Sequence, residues 1–189
     1  MPHGSRERMV RAAVDLFRER GYAATSFNDV LERGGAPRGS IYHHFPGGKE
    51  QLAREALQWY AERVARALDS TGSAREIVDL FVASSREALV ASDFSAGCAV
   101  AAVTLDLGPG EDRLKPSVAD AFGRWRTVLT KAFTRDGATP AQARRLAAFT
   151  VAAVEGALIL ARAERSAQPC DDVATELRAH LDVTLAMSR

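Results

Sequence analysis

The sequence predicts an all-α protein with nine helices and no strand. Three observations predict this class. Apolar residues recur at helical spacing along most of the 189 residues, alanine is abundant while proline is scarce, and no segment alternates polar and apolar residues as a half-buried strand does. Hydrophobic residues make up 47% of the chain, which is typical of a soluble globular protein with a substantial core.

The first two helices are predicted from an apolar face and a capping signal. The first covers about 5–20 and ends at Gly21, a residue type that commonly follows a helix. Its apolar face consists of Met9, Ala13, Leu16 and Phe17. A second, short helix covers about 27–33, because Ser26 and Asp29 stand at the spacing of an acidic capping box.

A third short helix and a long fourth helix follow, separated by glycines. Pro37 begins the third, since proline is tolerated at a first helical position, and the residues Phe-Pro-Gly-Gly at 45–48 end it near His44. The fourth covers about 49–68. Two short helices joined by a glycine-containing turn form the pattern of a helix–turn–helix.

Five more helices complete the prediction. Capping boxes begin two of them, at Ser73–Glu76 and at Thr139–Gln142, and Asp171 or Asp172 caps the last. The five helices cover part of 93–111 and about 74–91, 113–135, 140–165 and 172–187.

Composition and charge exclude several classes of protein. Two cysteines, Cys98 and Cys170, are too few for a disulfide framework or a four-cysteine zinc site and favour a reducing compartment. The first residues lack the apolar core of a signal peptide, and the longest apolar stretch, 147–161, is interrupted by Glu155 and too short to cross a bilayer. We therefore expect a cytoplasmic protein without membrane contact. With a formal net charge of +1, any anion-binding surface is local.

The stretch RGSIYHHFPGGKEQL at 38–52 permits three interpretations. A helical metal site needs ligands four residues apart, whereas His43 and His44 are adjacent and have no cysteine or third histidine nearby. A nucleotide-binding P-loop needs Ser or Thr after its Gly-Lys pair, whereas Glu50 follows Lys49 here. A helix–turn–helix that places its second helix in the major groove of DNA fits the pattern best.

In that interpretation, side chains at both ends of the motif contact DNA. Arg38, Ser40 and His43 are expected to favour particular bases, and Gly39 permits a close approach. Tyr42 lies at phosphate height, and Lys49 offers a charge beside the amides of a helix start. Thr25 and Ser26 cap the first short helix and touch phosphate from the other side. The residues expected to contact DNA are Thr25, Ser26, Arg38, Gly39, Ser40, Tyr42, His43 and Lys49.

Residues 26–52, SFNDVLERGGAPRGSIYHHFPGGKEQL, with Thr25 before them, resemble the DNA-binding motif of the TetR family of bacterial repressors. The matching positions are Thr25, Asp29, Gly35, Gly39, Tyr42, His44, Phe45, Lys49, Glu50 and Leu52. Most members have two residues between the Phe and the Lys, whereas this sequence has three, Pro46-Gly47-Gly48. This insertion, the residues GCAVAAVTLDL at 97–107 and EGALILARAER at 155–165 resemble the LmrA/YxaF-like branch of the family.

The resemblance implies a homodimeric transcriptional repressor that binds a palindromic operator and is released by a small, apolar or amphipathic effector. It implies a DNA-binding domain over 1–48, a connector helix from 49, and an effector-binding and dimerisation domain over 49–189. No cofactor, metal or enzymatic activity is expected. The alternative is a helical small-molecule-binding protein or enzyme that keeps a vestigial DNA-binding motif.

Aromatic residues in the second part of the sequence are interpreted either as core or as the wall of an effector pocket. Ligand pockets are mostly apolar with a few polar groups, and Glu155 is the candidate polar group here. Its carboxylate is expected to bind a cationic effector, to cap the dimer interface, or to pair with Arg126 or Arg162; Asp106 is a second candidate of this kind. The candidate pocket residues are Phe81, Phe94, Cys98, Phe122, Trp125, Leu129, Glu155 and Ile159.

The last two helices carry more apolar surface than one face of a bundle needs. A two-fold contact between two copies of this pair would bury that surface. The residues assigned to this dimer interface are Phe149, Val154, Leu158, Val173, Leu177 and Leu181.

Overall fold

A computed structural model describes residues 4–37, 39, 43–69, 72–108 and 113–186. Within those residues it contains eight helices and no strand, and the predicted all-α class is confirmed. The helices are α1 (Ser5–Arg20), α2 (Phe27–Gly34), α3 (Gly48–Asp69), α4 (Ala74–Ala91), α5 (Ala99–Asp106), α6 (Lys115–Arg135), α7 (Pro140–Glu164) and α8 (Gln168–Ala186). Of the helix predicted over 37–44, residues 38 and 40–42 lie outside the description, and His43 and His44 are helical.

Three helices begin with the capping boxes that the sequence predicts. The side chains of Ser26, Ser73 and Thr139 each accept a hydrogen bond from the amide three residues on. The side chain of that later residue accepts one from the amide of the capping residue. Pro140 follows Thr139 at the first position of α7, where its missing N–H leaves no intrahelical bond unmade.

The last helix begins earlier than predicted. Its first residue is Gln168, so neither Asp171 nor Asp172 is its cap. Pro169 lies in the first turn, where a helix needs no amide donor, and the amides of Cys170 and Asp171 both donate to the carbonyl of Ala167, at 3.0 and 3.2 Å. Proline at this position therefore marks the start of α8.

The chain divides into two compact units. The first comprises Met1–Glu62 and Cys98–Ala121, and the second comprises Arg63–Gly97 and Phe122–Arg189. Helices α3 and α6 each run from one unit into the other along the chain.

In the first unit, α1 packs against both α2 and α5. The face of α1 that the sequence predicts to be apolar is buried, with Met9 and Phe17 completely inaccessible to solvent. Phe45 and Leu52 add large buried side chains. The described part of the helix–turn–helix therefore packs on this core, with α2 against α1.

In the second unit, α7 packs against α4 and α8, and α4 packs against α8. Ion pairs also join α4 to α8, with Arg178 bonded to Asp79 at 2.6 Å and Arg75 to Asp182 at 2.8 Å. Helix α7 is long and apolar enough to cross a membrane by length and composition alone, although 44% of its most apolar stretch is buried inside the chain. Core helices of soluble proteins pass the same test.

Candidate nucleic-acid interface

Helix α2, the first helix of the motif, is fixed to α1 at both ends. At its carboxyl end Gly34 lies so close that an added Cβ would be 3.4 Å from the carbonyl oxygen of Arg8. Arg33 bonds both carboxylate oxygens of Glu19, at 2.8 and 2.9 Å, and this hydrogen bonding lowers the pKa of Glu19. At the amino end, Arg20 bonds Asp29 at 2.9 Å.

The amino end of α2 is organised around the Asp29 carboxylate. Oδ2 of Asp29 accepts bonds from the amide of Ser26 at 2.7 Å and from its hydroxyl at 2.6 Å. Those two bonds, together with Arg20, lower the pKa of Asp29 to about 2. Ser26 is exposed at this helix start, where the free amides of a helix favour an anion.

Thr25 has a different position from the one expected of a phosphate contact. Its side chain is buried, and its hydroxyl donates to the carbonyl oxygen of Gly21 at 2.7 Å. The buried Thr25 side chain therefore stabilises the turn between α1 and α2.

The second helix of the motif lies partly outside the described residues. The predicted contacts Arg38, Ser40 and Tyr42 are among the undescribed positions. Gly39 and His43 are both exposed.

The two histidines of the motif have different surroundings. The His44 ring lies between its neighbours, with its centroid 5.2 Å from that of His43 and 6.4 Å from that of Phe45. Phe45 is buried and His44 is half-buried. His43 is thus on the surface, and His44 lies beside the buried Phe45.

Lys49 is held by the turn that precedes α2. Its ammonium lies 4.1 Å from the centroid of the Tyr22 ring and donates to the carbonyl oxygen of Ala23 at 3.4 Å. Gly48, with φ +72°, begins α3, and the amide of Gly47 donates to Oε1 of Gln51 at 2.8 Å. The extra residue before Lys49 thus forms part of a capped helix start.

Asp106, the last residue of α5, reaches the same turn. Its Oδ2 accepts a hydrogen bond from the amide of Ala23 at 2.9 Å. The sequence indicates Asp106 as a carboxylate that binds an effector, caps the dimer interface or pairs with an arginine, and the structure places it beside the helix–turn–helix instead. The two residues are 83 positions apart, and no local pattern reveals such a pair.

The second unit brings together three of the aromatic residues predicted to surround an effector. The Trp125 ring lies with its centroid 6.0 Å from that of Phe81 and 5.5 Å from that of Phe122, both edge to face. Phe81 and Trp125 are buried, as is Leu129 one turn further along α6, while Phe122 is half-buried. The buried members of this cluster belong to this unit's core.

The remaining candidate pocket residues are dispersed. Phe94 is half-buried, in the turn after α4, and Glu155 is half-buried on α7 with its Oε2 shielded from solvent. Ile159 is 55% exposed, so it faces outward from α7 and does not line a closed pocket within the chain. Cys98 is buried in the first unit, at the start of α5.

The residues assigned to the dimer interface divide into buried and exposed sets. Those buried within the chain are Val154, Leu158, Leu177 and Leu181. Val173 is half-buried, and Phe149 is 50% exposed. The four buried side chains therefore belong to the core of the second unit, because α4, α7 and α8 already cover them.

A groove that the sequence did not indicate runs along the outside of α7 and α8. It has a volume of about 320 Å³ and contains the edge-to-face pair of Phe149 and His180, whose centroids are 5.4 Å apart. It is lined by Gln142, Arg145, Leu146, Phe149, His180 and Thr184. Among the described residues, no group of three or more His, Cys, Asp or Glu side chains is arranged to hold a metal ion.

Comparison with known proteins identifies the family. Residues 9–56 match the model of the tetR family of bacterial regulatory proteins, and residues 74–176 match the C-terminal domain of LmrA/YxaF-like transcriptional regulators. An HTH-type transcriptional regulator of Mycobacterium tuberculosis strain H37Rv is 42% identical over 180 residues, which cover 93% of each chain.

Two further similarities extend the comparison. The HTH-type transcriptional repressor DhaR of Mycobacterium sp. strain GP1 is 25% identical over 90% of this chain and 88% of its own. The crystal structure of a TetR transcriptional regulator from Legionella pneumophila superposes with a TM-score of 0.83 at 23% identity, covering 95% of this chain and 99% of that one. The chain belongs to the TetR family of DNA-binding transcriptional regulators, in its LmrA/YxaF-like branch.

Proposed function

We propose that the protein is a dimeric repressor that binds a palindromic operator in the bacterial cytoplasm and leaves it when a small effector binds. The observation that carries this proposal is a family-matched helix–turn–helix whose first helix is fixed to α1 by two ion pairs. Ser26 and His43 are exposed on this motif. The relative named a repressor supports repression over activation.

DNA contacts divide into two kinds in this proposal. Arg38, Ser40 and His43 read base edges from the major groove, with Gly39 allowing a close approach. Ser26, Tyr42 and Lys49 contact phosphates and set the orientation of the motif. Thr25 contributes indirectly, since its buried hydroxyl holds the turn before α2.

Exposed apolar residues on α7 and α8 support a dimer. Phe149, Ile159 and Leu160 on α7 are 50%, 55% and 53% exposed, and Val183 on α8 is 61% exposed. A two-fold contact between copies of this helix pair would cover these side chains. Two DNA-binding motifs in one dimer then fit half-sites that are about 34–36 Å apart, or a multiple of that distance.

The effector is expected to bind in the second unit, beside the aromatic cluster of Phe81, Phe122 and Trp125. Edge-to-face rings provide an apolar, polarisable surface suited to an apolar or amphipathic molecule. Glu155 gives this unit a half-buried carboxylate that would favour an effector with a cationic group. Release from the operator requires a coupling of about 1–3 kcal/mol between the two sites.

Fluorescence anisotropy with labelled fragments of the DNA that flanks its own coding sequence tests the proposal. We expect one fragment to bind, and the Lys49→Ala variant to bind more weakly with a salt slope lower by about one unit. Lys131→Ala is the matched control, because Lys131 is an exposed lysine on α6 in the second unit.

Two outcomes would contradict the proposal. If no flanking fragment binds at any salt concentration, the alternative of a small-molecule-binding protein or enzyme with a vestigial motif gains support. If Lys131→Ala lowers the slope as much as Lys49→Ala, the DNA-contacting surface has been misplaced. A thermal-shift screen of small molecules, followed by operator release, identifies the effector class.

A further inference from the structure

The turn between α1 and α2 is bonded on both sides by residues distant in sequence. We call residues 21–24 the entry turn. The amide of Ala23 donates to Asp106 at 2.9 Å, and the carbonyl of Ala23 accepts from Lys49 at 3.4 Å. One residue of the entry turn therefore links the start of α3 to the end of α5, and all of these residues belong to the first unit.

Gly21 shows how closely the entry turn fits the Asp106 carboxylate. Gly21 has φ +84°, and a Cβ at this position would lie 2.4 Å from Oδ2 of Asp106. Only glycine both adopts this backbone conformation readily and leaves room for the oxygen. The close approach is therefore a specific contact of a carboxylate with a turn.

The entry turn leads directly to the groups that meet DNA. The amide of Thr25 donates to the carbonyl oxygen of Tyr22 at 3.1 Å, and the next residue, Ser26, caps α2. On the other side, the ammonium of Lys49 rests on the Tyr22 ring. The bond from Ala23 to Asp106 thus acts on the start of α2 and on the position of Lys49.

We propose that Asp106 is a positioning residue for operator binding, acting through Ala23 and Lys49 without touching DNA. The inference rests on the proposed function. It assigns a carboxylate outside the helix–turn–helix to the DNA-binding surface, where a negative charge by itself would oppose binding to phosphate. Loss of this carboxylate therefore has opposite effects in the two cases: weaker operator binding if it positions the turn, and tighter binding if its charge alone matters.

The experiment compares Asp106→Ala and Asp106→Asn with a matched control, Asp136→Ala. Asp136 makes the same kind of bond in the second unit, where its Oδ2 accepts from the amide of Ala74 at 2.6 Å. Operator affinity and its salt slope are measured by anisotropy on the bound flanking fragment, and amide hydrogen exchange is measured over the entry turn. Thermal melts report the loss of global stability in each variant.

We expect Asp106→Ala to weaken operator binding roughly tenfold, because a charge-assisted bond to a backbone amide is lost. The salt slope falls by less than the one unit expected for Lys49→Ala, since Lys49 keeps its charge but is no longer held in place at its phosphate. Exchange over the entry turn increases, and Asp106→Asn recovers part of the affinity because its amide oxygen still accepts a bond. Asp136→Ala loses thermal stability and keeps its operator affinity.

Three results overturn the inference. The first is an operator affinity for Asp106→Ala that equals or exceeds that of the wild type. The second is an equal loss of affinity in Asp136→Ala, which would make the effect one of general stability. The third is a wild-type protein that binds no flanking fragment, which overturns the proposed function as well. The wild-type measurement thus separates a failure of the proposed function from a failure of the role of Asp106.

Discussion

Replacing Gly21 with alanine tests the fit between the entry turn and α5 through stability alone. The new Cβ would lie 2.4 Å from Oδ2 of Asp106, so the carboxylate must turn away and release the Ala23 amide. The backbone at φ +84° and ψ 176° is a region that residues with a side chain avoid, at about 1–3 kcal/mol. The lost bond is exposed to solvent and therefore adds only about 1.5 kcal/mol, the lower end of the range for charged partners.

The two contributions together lower the free energy of unfolding by about 2.5–4.5 kcal/mol. For a chain of this size that corresponds to a melting temperature lower by roughly 10 °C. In an Asp106→Ala background the bond is already absent and the carboxylate cannot clash, so Gly21→Ala costs only the backbone strain there. A double-mutant cycle measured by chemical denaturation should give a coupling of about 1.5 kcal/mol between the two positions.

Gly35 provides the matched control for this cycle. It also has a positive φ, +57°, but a Cβ there meets no atom within 4 Å. Gly35→Ala should therefore cost about 1–2 kcal/mol from the left-handed backbone and show no coupling to Asp106. The reasoning is refuted if Gly21→Ala costs the same with and without Asp106, or if Gly35→Ala couples to Asp106 equally.

Two other predictions concern the acid stability of the motif and the dimer. The pKa of Asp29 is about 2 in the folded chain against an ordinary 3.8. The stability that this carboxylate contributes is therefore complete above pH 3.8 and is lost as the pH falls towards 2. Asp29→Asn should flatten the dependence of the melting temperature on pH over that interval, and an unchanged dependence contradicts this prediction. Phe149→Arg should shift sedimentation towards monomer because it places a charge on an exposed apolar face of α7, whereas Val90→Arg, at a 42% exposed apolar position on α4, should leave the oligomeric state unchanged. Equal sedimentation of the two variants would place the interface elsewhere.

Local signals in the sequence were sufficient for most helix boundaries. Each of the three capping boxes involves residues only three positions apart, and its short hydroxyl side chain bonds backbone within its own neighbourhood. The apolar face of α1 was equally clear, because charged residues separate its buried positions. Such signals depend on neighbours along the chain, and for that reason they need no knowledge of the fold.

The buried face of α7 could not be deduced in the same way. This helix is apolar around most of its circumference, so periodicity does not distinguish Leu158, which is buried, from Ile159 and Leu160, which are exposed. Only the packing of α4 and α8 against it decides which residues form the core. The sequence therefore indicated the helices that carry exposed apolar side chains. It assigned Val154 and Leu158 to an exposed surface, whereas both are buried within the chain.

Asp106 is a clearer example of a contact that no local sequence pattern indicates. A carboxylate at the end of an apolar helix is most simply explained as a solvated residue or as part of a pocket, and both explanations are local. Its actual partner is a backbone amide 83 positions earlier, which has no side-chain signature at all. The one signal in the sequence was Gly21, and a glycine after a helix is ordinarily explained as a helix end. Gly21 does end α1, with its amide bonded to the carbonyl of Phe17, and the same glycine also provides the space that Asp106 occupies. Gly21 thus has a second role besides ending α1. It leaves space for the carboxylate through which α5 contacts the turn before α2.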